Sequence, residues 1–337
     1  MLGLFDANQE PASEALKTPH RHYDIGAISR RTFMIGGAAA GLGLATYSAT
    51  HARHELEITH RTFPIRNLPD AFQNFRIVQL SDIHLVEYTE PWFLESIVQR
   101  INELNPELVL LTGDFVSRGP RVQSVAWKAA GVCAEILEGL KAPQRYGILG
   151  NHDVAVGPEK VIQPLEAHGT PMLVDNYIPI ERGKDHFWLS GACDPGTSTC
   201  YLDLAIPPMP DAPVLFMCHE PDFVDTVVQH PRFPNIDLML SGHTHGGQVR
   251  LPVLGPLILP PMGKKYVEGL FHFDQMQLYV TRGVGTVGLP FRLNCPPEVT
   301  VITLVRDERY QKPIAVPQTA TKHPIIHHRT KRKSVSP

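Results

Sequence analysis

The chain has 337 residues, which suits one large globular domain with extensions better than one minimal domain or three domains. Apolar residues make up 43% and charged residues 19% of the chain, a composition that excludes wholesale disorder. The 34 acidic residues nearly balance the 31 basic ones, so the net charge of −3 gives no indication of a nucleic-acid partner. Five scattered cysteines do not form the disulfide framework of a small secreted domain.

Basic residues are concentrated at the carboxyl terminus. Residues 309–337 contain seven lysines and arginines and no acidic residue. This composition, with several prolines, predicts a disordered tail that either contacts an anionic membrane or envelope polymer or only increases solubility. The predicted organisation is an amino-terminal region over residues 1–53, a globular domain over 54–308 and the basic tail over 309–337.

An arginine pair precedes an apolar segment near the amino terminus. Arg30 and Arg31 stand shortly before a Gly- and Ala-rich stretch over residues 35–49. At roughly 15 to 17 residues this stretch is shorter than the ~20 that span a bilayer, and it resembles the hydrophobic part of a twin-arginine export signal. We therefore expect a periplasmic or other extracytoplasmic protein. A short buried helix is one alternative; because Thr50-His51-Ala52 is a poor cleavage site, a retained membrane anchor is another.

The central part of the chain predicts an α/β protein. Short apolar, β-branched runs alternate with helical patterns, as expected of buried strands joined by helices. The predicted strands cover residues 75–80, 108–111, 146–149, 187–190, 214–218, 238–240, 278–280 and 299–304. The predicted helices cover residues 91–104, 122–140, 157–168 and 221–230. The Pro- and Gly-rich residues 251–263 predict a loop with at most a short strand.

Metal-ligating residue types follow five of the predicted strands. The segments are Ser81-Asp82-Ile83-His84, Thr112-Gly113-Asp114, Gly150-Asn151-His152-Asp153, His219-Glu220 and Ser241-Gly242-His243-Thr244-His245. Because the carboxyl ends of strands form the ligand-binding edge of an α/β sheet, these side chains should lie close together. In an extended segment residues two apart point to the same side, which pairs Asp82 with His84 and His243 with His245.

The chemistry of these side chains indicates metal binding. Any one of the motifs alone is more often a turn, a helix cap or an ordinary edge residue, but their ordered occurrence after five strands indicates a site. Carboxylate, imidazole and amide oxygen together suit Mn, Fe or Zn, and the lack of a thiolate cluster argues against a structural zinc. Seven candidate ligands exceed the number that one ion takes while keeping an open position. The sequence therefore predicts two divalent metal ions.

These five ordered motifs resemble the signature of the calcineurin-like metallophosphoesterases over roughly residues 72–305. Three later stretches resemble an exported branch of that family related to the YkuE and YaeI phosphoesterases; they are Gly246-Gly247-Gln248, Gly263-Lys264-Lys265-Tyr266 and Arg292-Leu293-Asn294-Cys295-Pro296-Pro297. The resemblance implies a four-layer α/β/β/α sandwich with two mixed sheets facing each other. It also implies hydrolysis of phosphomonoester or phosphodiester bonds by a water activated between two metal ions.

The resemblance assigns a role to each motif residue. Asp82, His84 and His245 should hold one metal ion, and Asn151, His219 and His243 the other, with Asp114 bridging them. His152 should act on the phosphate or, as an imidazolium, donate a proton to the leaving oxygen, with Asp153 orienting its ring. As neighbours in an extended segment, Asn151 and His152 should point to opposite sides.

One arginine and one serine bear on the choice between functions. Arg118 stands where phosphoprotein phosphatases of this family carry a phosphate-binding arginine, and it is either a substrate contact or a solvated loop residue. Ser117 replaces the acidic residue that usually precedes that arginine, which disfavours the alternative function of a phosphoprotein phosphatase. A non-catalytic metal-binding scaffold of the same fold is a second alternative, although such proteins usually lack ligands that this chain has.

Two further features of the sequence leave alternatives open. Cys193 and Cys200 either pair after export or stay free. The apolar residues 251–262 follow the last motif and therefore begin beside the predicted site. They either pack back on the sheet or form an apolar lip for a lipid-like substrate or a bilayer, with Lys264 and Lys265 against an anionic head group.

Overall fold

The structure is a computed structural model that describes residues 29–119, 122 and 125–309. The first 28 residues and all but the first residue of the predicted tail lie outside the described residues. The chain divides into two compact units, residues 1–44 and 45–337. Helix α1 (Arg30–Thr50) begins at the arginine pair, where the Ser29 hydroxyl accepts a hydrogen bond from the amide of Thr32. Within the described part of the chain, no helix is both long and apolar enough to cross a membrane.

Short strands and helices alternate along the second unit. The strands are β1 (Glu57–Ile65), β2 (Phe75–Leu80), β3 (Leu108–Leu111), β4 (Gln144–Gly147), β5 (Asn176–Arg182), β6 (Asp185–Gly191), β7 (Val214–Met217), β8 (Leu238–Ser241), β9 (Arg250–Leu251), β10 (Gly255–Pro256), β11 (Gly269–Phe273), β12 (Met276–Val280) and β13 (Glu298–Arg306). The further helices are α2 (Pro91–Glu103), α3 (Ala126–Glu138), α4 (Asn151–Val156), α5 (Pro158–Ala167), α6 (Leu202–Ala205) and α7 (Val224–Val227).

The strands form two mixed sheets and one small hairpin. The first sheet has the order β1-β13-β2-β3-β4, in which only the β13–β2 pair is antiparallel. The second has the order β11-β12-β8-β7-β6-β5, in which the two outer pairs are antiparallel and the inner ones parallel. Strands β9 and β10 pair with each other as an antiparallel hairpin.

The alternating faces of the strands create four layers. Leu108 and Leu110 of β3 pack between the sheets, together with Leu238 of the second sheet. The intervening Val109 and Leu111 face the opposite way and pack with residues of α2, α3 and α5. On the outer face of the second sheet, residues of β7, β8 and β12 pack with α6 and α7. Both sheets thus bury two faces, and the predicted four-layer α/β/β/α fold is confirmed.

The structure corrects several predicted elements. The strand predicted at 146–149 lies at Gln144–Gly147, and the apolar Ile148 and Leu149 are buried just beyond its end. The helix predicted at 221–230 is a 3-10 turn, Pro221–Phe223, followed by the four-residue α7. Strand β5 was not predicted because most of its residues are exposed, so it lacks an apolar run.

Candidate metal centre

The five motifs meet where strands of both sheets end. The first three follow β2, β3 and β4 of the first sheet, and the last two follow β7 and β8 of the second. Because the strands within each of these groups are parallel, their carboxyl ends lie at the same edge. The candidate site is therefore built by two sheets, each of which contributes its own loops.

The loops that carry these side chains have a left-handed backbone. The φ angle is 53° at Asp82, 49° at His84, 56° at Asp114, 72° at His243 and 51° at His245. Such values are uncommon outside glycine, and clusters of them are typical of functional sites, where the surrounding structure maintains the strain. Asp82 with His84, and His243 with His245, were predicted to lie in extended segments. That prediction was wrong, because tight turns bring these side chains together instead.

Asp82, His84 and His245 form what we call the first ligand group. His84 Nε2 and His245 Nε2 are 3.0 Å apart, and His245 Nε2 lies 3.6 Å from Asp82 Oδ1. On the other side of its ring, His84 Nδ1 forms a 3.0 Å hydrogen bond with the hydroxyl of Ser117. All three side chains are buried, and their candidate ligand atoms lie within 4.8 Å of one another. This spacing suits a single metal ion.

Asn151, His219 and His243 form the second ligand group. Nδ1 of His219 lies 2.7 Å from the carbonyl oxygen of Thr112, so Nδ1–H donates there and Nε2 is left for a ligand. Nε2 of His243 lies 2.7 Å from the carbonyl oxygen of Pro261, so its Nδ1 is the free nitrogen. That Nδ1 lies 3.0 Å from Asn151 Oδ1. Outer hydrogen bonds of this kind fix the tautomer of metal-ligating histidines.

Asp114 lies between the two groups. Its Oδ2 is 3.4 Å from His84 Nε2 and 3.2 Å from His219 Nε2, and its Oδ1 accepts a 2.9 Å hydrogen bond from the amide of His152. Gly150 permits this approach, since a Cβ atom there would lie 2.3 Å from Asp114 Oδ1. Asp114 is therefore within reach of both candidate ions.

The centre contains acceptors that a cation would satisfy. Asp82 Oδ2 makes no well-formed hydrogen bond within the described residues. With Nε2–H of His243 donating to Pro261, His243 Nδ1 and Asn151 Oδ1 are two acceptors that face each other. Buried acceptors in contact are unfavourable unless a positive charge lies among them. Imidazole, carboxylate and amide donors fit a divalent transition metal.

The electrostatics of the centre favour the same occupant. Burial lowers the pKa of His84, His243 and His245, so these rings are neutral and keep a lone pair. Burial also disfavours charge on His219 and Asp114, yet their mutual attraction raises the pKa of His219 well above its usual value and holds that of Asp114 well below. A bound metal ion would displace the proton that this pair shares.

His152 lies beside the first ligand group, with its ring centroid 4.7 Å from that of His84. Its Nδ1 accepts a 2.9 Å hydrogen bond from the backbone amide of Arg118, so the proton of the neutral ring is on Nε2. In the expected imidazolium, the Nδ1–H of His152 would face the N–H of Arg118. This contact therefore favours the neutral ring. Asn151 and His152 begin helix α4, which corrects the predicted extended segment.

The structure gives Asp153 a different part from the expected one. Its Oδ2 accepts hydrogen bonds from the amides of Asp114 at 2.8 Å and Gly150 at 3.0 Å, and its Oδ1 accepts one from Val116 at 3.2 Å. The carboxylate therefore fastens the loop after β3 to the start of α4. The Arg118 amide donates to the His152 ring, and Asp153 orients the backbone on which the site is built.

A cavity of about 500 Å³ lies beside Arg118, whose backbone amide donates to His152. Its lining includes Arg118, Trp127 and Lys160, together with Ala155 one helical turn after His152. Arg118 is exposed and lines this cavity. The assignment of Arg118 as a substrate contact stays a prediction.

The apolar residues 251–262 after the last motif form a largely exposed segment that includes the turn between β9 and β10, and we call this whole segment the apolar hairpin. Val253 is fully exposed, Leu254 is 75% exposed and Ile258 is 69% exposed. The alternative that this run packs back on the sheet is therefore wrong. Because Pro261 ends the run at His243, both ends of the hairpin lie at the metal centre.

The contacts of two residues beside the centre were not predicted from the sequence. Ser117, treated there only as a missing acidic residue, is buried against His84. Arg292, treated only as part of a motif, is fully buried with Nη2 3.4 Å from His245 Nδ1. The sequence contained one indication of the role of Arg292. It lies in a motif to which the family resemblance assigned no function. Elsewhere, Cys193 and Cys200 form a disulfide.

Several known proteins have sequences related to that of this chain. Residues 75–247 match the family model of the calcineurin-like phosphoesterases. The chain is 33% identical over 295 residues to the uncharacterized metallophosphoesterase YkuE of Bacillus subtilis, covering 82% of this chain and 98% of that one. It is 33% identical over 291 residues to the phosphodiesterase YaeI of Escherichia coli, covering 82% and 100%. The chain therefore belongs to the calcineurin-like phosphoesterase family and is a phosphoester hydrolase.

Proposed function

We propose that the chain hydrolyses phosphodiester bonds with two divalent metal ions. The first ligand group would hold one ion and the second ligand group the other, with Asp114 contributing to both. The observation that carries the proposal is the 3.0 Å approach of two acceptors, His243 Nδ1 and Asn151 Oδ1, which a cation between them would stabilise. The approach of Asp114 to His84 and His219 supports a shared ligand.

The residues of the chain would supply position and hydrogen bonds. Two divalent ions bound there would polarise the phosphoryl group and promote ionisation of the attacking water. Asp153 holds the backbone of Asp114, so the shared carboxylate is fixed before substrate binds. Because Nδ1 of His152 is occupied by the Arg118 amide, we assign to its Nε2–H a hydrogen bond to the charge that develops on the departing or phosphoryl oxygen.

The substrate that we propose is lipid-like, of membrane or cell-envelope origin. The exposed hairpin with Val253, Leu254 and Ile258 supports this, because its ends are tied to the metal centre and its apolar side chains have not packed on the sheet. Burial of four methylenes of an acyl chain there would contribute about 3 kcal/mol. Of the two lysines expected at an anionic head group, Lys265 is paired with Asp225 at 2.9 Å, so we assign that role to Lys264.

We further propose that the protein is exported by the twin-arginine route and acts outside the cytoplasm, free or anchored. The arginine pair at the start of α1 supports this. The disulfide between Cys193 and Cys200 supports it independently, because disulfides persist mainly in oxidising compartments.

Hydrolysis by the purified chain loaded with Mn²⁺ tests the proposed activity. The substrates are bis(4-nitrophenyl) phosphate as diester and 4-nitrophenyl phosphate as monoester. We expect diester hydrolysis that a chelator abolishes and added Mn²⁺ restores. If protein that holds two ions hydrolyses neither the diester nor the monoester, the proposal is contradicted and the scaffold alternative is favoured.

A further inference from the structure

Arg292 is a charged side chain that is fully buried. Its guanidinium donates hydrogen bonds to the carbonyl oxygens of Arg282 at 3.0 Å, Gly283 at 3.2 Å, Gly285 at 2.6 Å and Cys295 at 3.0 Å. A buried charge is costly unless its donors are paired, and here backbone carbonyls pair them. The side chain thus fastens residues 282–285 to the segment that follows it.

Residues 282–285 in turn hold the backbone of Asp82. The amide of Gly285 donates to the carbonyl of Asp82 at 2.7 Å, and the amide of Val284 donates to that of Ser81 at 3.0 Å. Gly283 has φ of 61°, and a Cβ atom there would lie 2.5 Å from Asp82 Cβ. The loop therefore leaves Asp82 no room to shift while Arg292 keeps it closed.

The same segment contacts His245, a second member of the first ligand group. Arg292 Nη2 lies 3.4 Å from His245 Nδ1, on the side of the ring away from His84. The thiol of Cys295 donates to the carbonyl oxygen of His245 at 3.1 Å. The backbone of His245 is thus held by Cys295, and Arg292 of the same short segment packs beside its ring.

The rings of the second ligand group are held by other contacts, although the backbone amide of His243 donates to Asp82 Oδ1 at 2.9 Å. His219 is oriented by the carbonyl of Thr112, and His243 by that of Pro261. These partners lie outside residues 282–298. A change at Arg292 should therefore reach the two candidate ions unequally.

We propose that Arg292, assisted by Cys295, is a positioning residue that holds Asp82 and His245 for the ion of the first ligand group. The proposal rests on the two-ion function proposed above. It gives the Arg292-Leu293-Asn294-Cys295 segment a role, namely to set the affinity of one of the two sites. Partners that orient metal ligands in this way are typically worth about 10- to 100-fold in metal affinity.

The test is to titrate metal-free Arg292→Lys protein with Mn²⁺. Calorimetry measures the two dissociation constants, and electron paramagnetic resonance detects the spin-coupled pair of ions. Lysine keeps the charge but, with one nitrogen, cannot reach carbonyls on both segments. We expect one of the two dissociation constants to rise at least about tenfold while the other is unchanged, with loss of the spin-coupled Mn²⁺ pair signal at concentrations that fill both sites of the parent protein.

Arg145→Lys is the matched control. Arg145, on β4, also donates to a backbone carbonyl, that of Leu140 at 3.1 Å, and to the Thr170 hydroxyl at 2.9 Å. We expect it to lower the melting temperature without altering either dissociation constant. If Arg292→Lys behaves in the same way, Arg292 only stabilises the fold and the proposal is overturned.

A second variant covers failure of Arg292→Lys to fold. Cys295→Ala removes only the thiol that contacts His245, and we expect it to weaken the same single site by a smaller factor. The proposal would also be overturned by two results together. Cys295→Ala would bind both ions with unchanged affinity, and Arg292→Lys would fail to fold even in saturating Mn²⁺. Failure of the proposed function is recognised separately, because the parent protein itself would then not bind two ions.

Discussion

The carbonyl oxygen of Pro261 lies 2.7 Å from Nε2 of His243, so the end of the apolar hairpin sets the tautomer of a candidate metal ligand. The surface that would receive an acyl chain and the centre that would cleave the phosphoester are therefore joined by one hydrogen bond. A substrate bound on the hairpin, as we propose, would be held at a fixed distance from the site of reaction.

This connection predicts a preference for long acyl chains. We expect kcat/KM for long-chain lipid phosphodiesters to exceed that for short-chain esters with the same head group by roughly a hundredfold, from about 3 kcal/mol of buried methylenes. Leu257→Asp with Ile258→Asp should erase the difference, since both residues are exposed on the hairpin. Leu204→Asp with Met209→Asp changes an equally exposed pair outside the hairpin and should preserve it. Chain-length independence in the parent enzyme would sink the lipid assignment.

The shared position of Asp114 predicts a severe loss on removal of its charge. Asp114→Asn should lower kcat/KM for a phosphodiester more than about 100-fold, or about 2.7 kcal/mol, because both ions lose an anionic ligand. Asp274→Asn is a control with a similar backbone, since φ is 56° at Asp114 and 48° at Asp274. Full activity of Asp114→Asn with both ions retained would refute the bridging role.

The tautomer of His152 predicts a hydrogen-bond donor that keeps its proton. His152→Ala should retain two ions per chain while kcat falls about 10²- to 10³-fold, as on loss of a donor to a developing oxyanion. Because no proton is transferred, the loss should depend on the leaving group much less than the loss of a general acid would. A loss confined to poor leaving groups would instead indicate a general acid, and loss of metal would indicate a ligand.

The arginine pair predicts dependence on the twin-arginine route. Arg30→Lys with Arg31→Lys keeps the charge and should cause the protein to accumulate in the cytoplasm, because that signal requires the arginines themselves. Cell fractionation with immunodetection measures this, and Arg100→Lys on the exposed face of α2 controls for a general effect of replacing arginine. Normal export of the double variant would show that residues 30–50 have another role.

The elements that could be predicted are those in which consecutive residues are buried and therefore apolar. Strands β2 and β3 are buried on both faces, so their apolar runs mark their bounds correctly. Strand β5 has only one fully buried residue, Ile180, and produces no run. The convergence of the motifs could be predicted because every motif follows a strand, although the sequence does not state that two sheets share them.

The details of the site depend on contacts that sequence spacing does not encode. The left-handed turn at Asp82 is stabilised by the distant amide of Gly285, and that at His243 by the carboxylate of Asp82. Local spacing contains neither contact and therefore suggested extended chain. The part played by Asp153 was misjudged for the same reason, because its partners are backbone amides of other loops. Arg292 carries a charge, which predicts exposure, and its burial depends on carbonyls of residues 282–285.

The number of metal ions that one chain binds tests the two-ion account most directly. Metal-free protein should be titrated with Mn²⁺ and with Zn²⁺, and the bound metal should be measured by elemental analysis after removal of the excess. We expect two ions per parent chain, two per His152→Ala chain, and fewer than two when His243 or His245 is replaced by alanine. A parent protein that binds one ion or none at saturation would contradict the account.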